Sequence, residues 1–367
     1  MTDTALLLLS FGGPEKAEDV VPFLENVTRG RGIPRERLEE VGEHYFTLGG
    51  RSPINEQNRV IIRNLEAELA KRNLDIPVYF GNRNWEPYVE DAMQQAVKDG
   101  ITHLYVFATS AWGGYSGCAQ YQEDIRRGLE AVDHALTVER LPQFHARPEF
   151  VSMFAAAVNE ARESLDSPDA DLIFTAHSVP NKADDAAGPD GNLYSQQVLK
   201  TSQLVQQESS FAGTPGSAAD FGWDTSGSVE LTWQSRSGSP HVPWLEPDIC
   251  DHIAGRASRG NKRGIVLCPI GFITDHIEVV WDLDTEAKQA AVEAGVPFVR
   301  AATPGLSPEF AAMVVDMMQE ARHQAPLRED QQAAANFRDL GHTLNGRQCA
   351  PGCCEAPRTG VAGKVTK

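Results

Sequence analysis

The sequence predicts an α/β protein built as two similar doubly wound halves. Three observations lead there. The chain has 367 residues, more than one hydrophobic core usually supports. Short apolar runs of strand length alternate with longer segments whose apolar residues recur at helical spacing. The alternation also passes twice through four strand-like runs, which implies two parallel sheets with helices on their faces.

The first run, Ala5–Ser10, contains Ala5-Leu6-Leu7-Leu8-Leu9. It is far too short to span a bilayer, and Met1-Thr2-Asp3-Thr4 before it lacks the basic stretch of a signal peptide. It reads as a first buried strand of a cytoplasmic protein. Further strands are expected near Val78–Gly81, Leu104–Ala108 and Thr137–Arg140. A helix from about Ile54 to Arg72 puts Ile61, Leu65 and Leu69 on one face, and Asn73 ends it. The second pass has strands near Leu172–Ala176, Val229–Trp233, Ile265–Ile270 and Pro297–Arg300. Helices near Glu149–Leu165, Asn192–Gln206, Asp275–Ala294 and Pro308–His323 alternate with them. Residues 1–145 and 146–323 are the expected domains. A surface insertion rich in Gly, Ser, Ala and Asp lies near 207–228, and a cysteine-containing tail covers 324–367. A ligand is expected between the halves, at the C-terminal strand ends.

The net charge of −18 and pI near 5.0 argue against nucleic acid or an anionic membrane as the main partner. No G-x-x-x-x-G-K-[ST], H-E-x-x-H or G-x-G-x-x-G stretch occurs, so nucleotide-driven chemistry and zinc proteolysis lose support. Of six cysteines, Cys349, Cys353 and Cys354 crowd the tail, and in a cytosolic chain such crowding points to soft metal ligation rather than disulfides.

Three constellations carry chemistry. His177, in Thr175-Ala176-His177-Ser178-Val179-Pro180, stands where a buried strand ends, suited to proton transfer or metal binding; a capping or core role is the plain alternative. Glu278, Asp282 and Glu286 recur every fourth residue after a second buried strand. They share one helix face, at a cost of about 0.2–0.5 kcal/mol per like-charged pair, and form a ladder of hard oxygen ligands for a divalent cation. A solvated acidic face, opened by an Asp275/Glu278 capping box, is the bland alternative. Three tail thiols need a fourth ligand for an iron–sulphur cluster. Cys118, in a Gly-rich loop after a strand, is the first candidate, with Cys250 and His342 as others, and zinc stays open as the metal. Cys268 reads as a small core residue. Trp233 and Trp244 near a strand end suit a flat aromatic ligand, or an ordinary core.

Together, Leu9-Ser10-Phe11-Gly12-Gly13-Pro14, Gly49-Gly50-Arg51-Ser52-Pro53-Ile54, Tyr115-Ser116 before Cys118, the His177 segment, Trp233-Gln234-Ser235, Pro243-Trp244-Leu245 and Asp275-His276-Ile277-Glu278 resemble ferrochelatase, in that order. Asn82-Arg83-Asn84-Trp85-Glu86-Pro87 and the cysteine-rich tail look most like its Gram-positive, cluster-bearing subgroup. The resemblance implies the chelatase fold, two Rossmann-like domains around a porphyrin cleft, with His177 and Glu278 facing each other at the metal-insertion site. It implies Asp282 and Glu286 as an Fe2+ path, and a helix there that often contains a π-turn. It further implies a [2Fe–2S] cluster on Cys118, Cys349, Cys353 and Cys354. Some relatives have tyrosine where Phe11 stands, and the adjacent pair Cys353-Cys354 departs from common tail spacings.

The expected porphyrin contacts are Phe11, Arg29, Arg31, Arg51, Ser52, Tyr115, Tyr121 and Trp233. The stretch from Asn26 to Arg37 is polar and basic, without the apolar lip expected of a membrane-associated user of protoporphyrin IX. Arg29, Arg31 and Arg51, with Ser52, suit the propionates of the four-propionate coproporphyrin III by charge-assisted hydrogen bonds, or the arginines pair with Glu39 and Glu40 in a solvated basic loop. A protoporphyrin IX ferrochelatase and a non-catalytic porphyrin or haem carrier are the rivals; a carrier does not need the acidic ladder. A monomer, with a downstream haem-pathway enzyme as partner, is expected.

Overall fold

The computed structural model describes residues 3–30, 32–212, 229–237, 241–323 and 353–354. Two four-stranded parallel sheets organise them, each flanked by helices. The first has the order β2-β1-β3-β4, from β1 (Thr4–Ser10), β2 (Val78–Asn82), β3 (His103–Ala108) and β4 (Thr137–Arg140). The second repeats that order as β6-β5-β7-β8, from β5 (Asp171–His177), β6 (Glu230–Gln234), β7 (Ile265–Cys268) and β8 (Phe298–Arg300). The strands stop close to where the sequence placed them. β7 ends at Cys268 because Pro269 has no N–H to extend the ladder.

Both faces of each sheet are covered, so the central strands read as unbroken apolar runs rather than alternating ones. In β1, Ala5, Leu7 and Leu9 enter a core belonging to the first half, while Leu6 and Leu8 point the other way. In β5, Ile173 enters a core of the second half, while Leu172, Phe174 and Ala176 point with Leu6 and Leu8 into one shared core. The shared core also holds residues of the Ile54–Lys71, Pro148–Ser164 and Pro308–His323 helices. Arg72, just past the first of these helices, reaches across to Asp316, the Gln319 side chain at 2.9 Å and the Ala312 carbonyl at 3.4 Å. The halves are thus distinct in their sheets and joined in their largest core.

The repeat extends to detail. After each second strand, β2 or β6, a cis X-Pro bond, Glu86-Pro87 or Glu246-Pro247, precedes a return to the sheet edge at Tyr88 or Asp248. After each third strand the chain winds as a π-helix, over Tyr115–Ala119 and over Val279–Ala287. Each fourth strand ends on an arginine, Arg140 or Arg300.

The segment expected as one α-helix over Asp275–Ala294 differs from that expectation. Asp275 stays outside it, its N–H donated to Gln57 at 2.7 Å and its carboxylate held by Arg300 and Thr303. Ile277 and Glu278 begin the helix, π winding runs over Val279–Ala287, and ordinary α-helix continues over Lys288–Ala294. Contacts five residues apart mark the wider winding: the Thr285 hydroxyl to the Val280 carbonyl, and the Trp281 indole to Glu286. The Asn192–Gln206 helix runs slightly further, over Leu193–Glu208, so the expected insertion is shorter at its start. Its remainder, 213–228, and most of the tail lie outside the described residues.

Candidate active site

β5 ends on His177, the half-buried residue of an otherwise buried strand. Its carbonyl accepts the Tyr194 hydroxyl at 2.8 Å. Its Nδ1 faces the Ser178 carbonyl, an acceptor only, which selects the tautomer with the proton on Nδ1. Nε2 therefore keeps its lone pair and stands 3.5 Å from the Glu278 carboxylate, both side chains being partly open to solvent. A base with a free lone pair beside an anion can take a proton, and the anion stabilises the imidazolium that forms.

The loop before Glu278 is pinned to β5. A Cβ on Gly271 would meet the Ala176 Cβ at 2.8 Å, so glycine alone permits this approach. Trp112, from the first half, donates its indole N–H to the Gly271 carbonyl at 3.0 Å. His276 accepts the Glu278 N–H on Nδ1 at 3.2 Å, and burial pushes its pKa down, which holds it neutral. The side chain of Asp275 is committed to Arg300 and Thr303, and the Asp275 and Glu278 N–H groups go to Gln57 and His276 rather than to each other's carboxylates, so the capping-box alternative fails.

Past Glu278 the carboxylates continue along the π-helix. Asp282 accepts the hydroxyl of Ser235, which holds a left-handed backbone at φ +60°, a conformation costly for a non-glycine residue and often kept for a functional purpose. Burial, then the charges of Glu278, Glu286 and Asp248, push Asp282 up to about 7. Glu286 accepts the Trp281 indole N–H at 2.9 Å, and Trp281 stacks on His44 of the first half at 4.2 Å and 8°. Beside it Ile277 is buried among Val20, Phe23, Leu24, Leu38 and Tyr45. Asp248 escaped sequence reasoning because it looks like, and is, a helix cap, accepting the Cys250 N–H at 2.8 Å. Among the described residues no three His, Cys, Asp or Glu side chains form a ready-made cation cage.

The expected porphyrin contacts divide. Phe11, an exposed apolar residue, meets Phe23 edge-on at 6.3 Å. Ser52 is buried behind Gly13, its N–H on the Pro14 carbonyl at 2.8 Å. Arg29 and Arg51 are exposed, Tyr115 is half-buried at the start of its π-turn, and Arg31 lies outside the described residues. Glu39 and Glu40 pair with Arg35 and Arg37, not with Arg29 or Arg51. Two expectations need correction. Trp233 is 1% exposed, turned into the shared core against Tyr194, and offers no face to a ligand. The Tyr121 ring lies buried beside the guanidiniums of Arg83 and Arg140, at 4.4 and 5.6 Å, so it is no stacking platform either.

A second cluster forms around the other π segment. Cys118 and Cys354 are buried together with Ala187 and Leu193, and the Cys353 and Cys354 thiols are 3.8 Å apart. Arg140 donates to the Gly117 and Cys118 carbonyls at 2.9 and 2.8 Å and approaches the Cys118 Sγ at 3.8 Å. The hydrogen bond with Cys354, then the Arg140 charge, bring the Cys118 thiol down to about 6 against burial, while Cys354 is pushed up. Cys349 and His342 lie outside the described residues. Cys250 instead sits near the acidic ladder, where burial, then Asp248, push it up to about 12. Cys268 is a buried core residue of β7.

The raised Asp282 pKa has a stability consequence. The ordinary value is 3.8, so between about pH 4 and 7 the folded state retains a proton that the unfolded state has released. The stability from this group is complete below about pH 4 and is lost as pH rises toward 7. Asp282→Asn should therefore melt higher than wild type at about pH 8 and equally at about pH 4; thermal melts at the two pH values check it, and equal gains at both would refute the shift.

Residues 3–322 match the sequence profile of ferrochelatase. The chain is 50% identical to a coproporphyrin III ferrochelatase of Nocardia farcinica, over 99% of both chains. It is 52% identical to one of Mycolicibacterium smegmatis, over 96% of this chain and 99% of that one. The fold resembles SirB from Bacillus subtilis with Fe3+ at a TM-score of 0.52 and 12% identity, over 88% of this chain and 98% of that one, a likeness of fold alone. With a family match over residues 3–322 and relatives half identical over nearly the whole chain, the chain belongs to the ferrochelatase family.

Proposed function

We propose that this enzyme inserts Fe2+ into coproporphyrin III, with His177 as the base and Glu278 as its partner. The observation that carries the reading is the 3.5 Å approach of His177 Nε2 to Glu278. Metallation releases two pyrrole protons and leaves a divalent cation in the ring. His177 Nε2 takes one proton from the face it meets, Glu278 stabilises the imidazolium, and the second proton passes to solvent water, to which both side chains are partly open. Fe2+, the substrate, reaches Glu278 by way of Glu286 and Asp282. A path of single carboxylates releases the ion readily, as a delivery route must. Asp282, titrating near 7, can accept the ion or a proton in turn.

The tetra-acid porphyrin follows from the lip. Arg29 and Arg51 are available to carboxylates, and each charge-assisted hydrogen bond to a propionate contributes about 1.5–3 kcal/mol. The relatives named above carry the same substrate in their names. A [2Fe–2S] cluster on Cys118, Cys349, Cys353 and Cys354 is supported by the burial of Cys118 with Cys354, by Cys353 packed against them, and by Arg140, a cation that favours thiolate, near the Cys118 Sγ; the described thiols by themselves form no ready-made metal cage. Bound there it would tie the tail to the first half and supply a one-electron centre. The reading includes a cytoplasmic monomer that passes its product to a downstream haem-pathway enzyme; no helix of the described residues is long and apolar enough to cross a membrane.

His177→Ala is expected to lower the rate of ferrous insertion by about 10²–10⁴-fold while free-base porphyrin still binds, measured by absorbance under anaerobic turnover. A variant that turns over at the wild-type rate would remove His177 from the chemistry. With both porphyrins supplied together, the specificity constant for coproporphyrin III should exceed that for protoporphyrin IX, and the reverse order would reassign the substrate. Anaerobically purified Cys118→Ser should lack the visible absorbance of the cluster; intact colour would place the fourth ligand elsewhere.

A further inference from the structure

We infer that Arg300 is a positioning residue for metal insertion: it clamps the two ends of the segment bearing Glu278 and Asp282 and so holds the π-wound helix against His177. Its guanidinium takes Asp284 in a two-point grip, Nε to Oδ1 at 2.7 Å and Nη2 to Oδ2 at 2.9 Å. It takes Asp275 with Nη1 at 3.2 Å and Nη2 at 3.1 Å. Glu278 and Asp282 lie between those two aspartates in the chain. Asp275 is itself fixed from other sides, by the Thr303 hydroxyl at 3.1 Å and, through its N–H, by Gln57 of the first half at 2.7 Å. One planar cation at the end of β8 thus joins the loop after β7, the π-helix and, through Asp275, the opposite half. Arginine suits this because its fork meets two carboxylates in fixed directions, which a lysine ammonium cannot do.

Extended π winding is rare in proteins, and this stretch carries the carboxylates whose placement the chemistry needs. The other half supplies an independent observation. Arg140 ends β4 as Arg300 ends β8, and it grips the π segment after β3, through the carbonyls of Gly117 and Cys118. Two arginines at matching places in a repeated fold hold two π-wound segments. Arg300 touches no reacting atom in this scheme; it acts through Glu278 and Asp282.

This role rests on the assignment of Glu278 to the insertion site, and a double-mutant cycle separates the two. Arg300→Met and Glu278→Gln are made singly and together in the full-length protein, and kcat and KM for Fe2+ are measured with the Kd for free-base coproporphyrin III. Arg300→Met should lower kcat/KM for Fe2+ by about 10²-fold and leave porphyrin binding within about twofold. In the Glu278→Gln background the same change should cost less than about threefold, because the group it positions is already gone. Arg300→Lys should recover only part of the loss. Wild-type kinetics in Arg300→Met, or losses that multiply in the double variant, would overturn the role. If Glu278→Gln itself keeps wild-type turnover, the site assignment fails first, and this role with it. Should Arg300→Met not fold, Asp284→Asn opens only the helix side of the clamp. It should show a smaller loss that is likewise not additive with Glu278→Gln, and additivity there would equally overturn the role.

Discussion

The burial of one face of each sheet in a common core is the constraint on which the site depends. Leu6 and Leu8 of β1 and Leu172, Phe174 and Ala176 of β5 belong to the same apolar interior. It is sealed by the Pro308–His323 helix of the second half lying on Ile54–Lys71 of the first. Burial at about 25 cal/mol per Å² of apolar surface favours this arrangement over two separately solvated domains. It also brings elements of the first half to the strand ends of the second. Trp112 reaches Gly271, Gln57 reaches Asp275, and His44 stacks on Trp281. Every one of these contacts crosses between halves, and all lie on the segment that carries Glu278 and Glu286. The acidic ladder is therefore positioned by both halves although its residues belong to one.

The repeated architecture also places the cysteine cluster and the acidic row at corresponding points. Each follows a third strand, each includes a π-wound segment, and each is held by an arginine ending the fourth strand. In the first half the segment carries the Cys118 thiol, a soft donor; in the second it carries oxygen donors. One scaffold thus offers two donor chemistries by changing side chains at one topological place, without altering strand order.

Much of this was legible in the sequence, for identifiable reasons. Strands covered on both faces are apolar throughout, so Ala5–Leu9 and Leu172–Ala176 declare themselves. His177 stood out as a polar group ending a buried strand and Glu278 as the first of a row of carboxylates, each with a plain structural alternative that the family resemblance outweighed. The π winding was not legible from periodicity, since Glu278, Asp282 and Glu286 at four-residue spacing suit either winding. Arg300 and Ser235 were missed because their roles depend on partners remote in sequence, Asp275 and Asp284 for the one and Asp282 for the other. The burial of Trp233 was not legible because an aromatic residue near a strand end suits a core as well as a flat ligand, and that of Tyr121 because it depends on Arg83 and Arg140, remote in sequence.

Under the proposed function, ferrous iron is delivered along a graded row of carboxylates that ends at the His177–Glu278 pair. The most direct measurement compares kcat/KM for Fe2+ in Glu278→Gln and Glu286→Gln under anaerobic turnover with coproporphyrin III. A delivery path ending at His177 requires a loss at Glu278 of at least about 10²-fold and a loss at Glu286 at least tenfold smaller, about the scale of one lost peripheral ligand contact. Equal losses at the two positions would contradict a graded path and reduce the row to a shared structural feature of the helix.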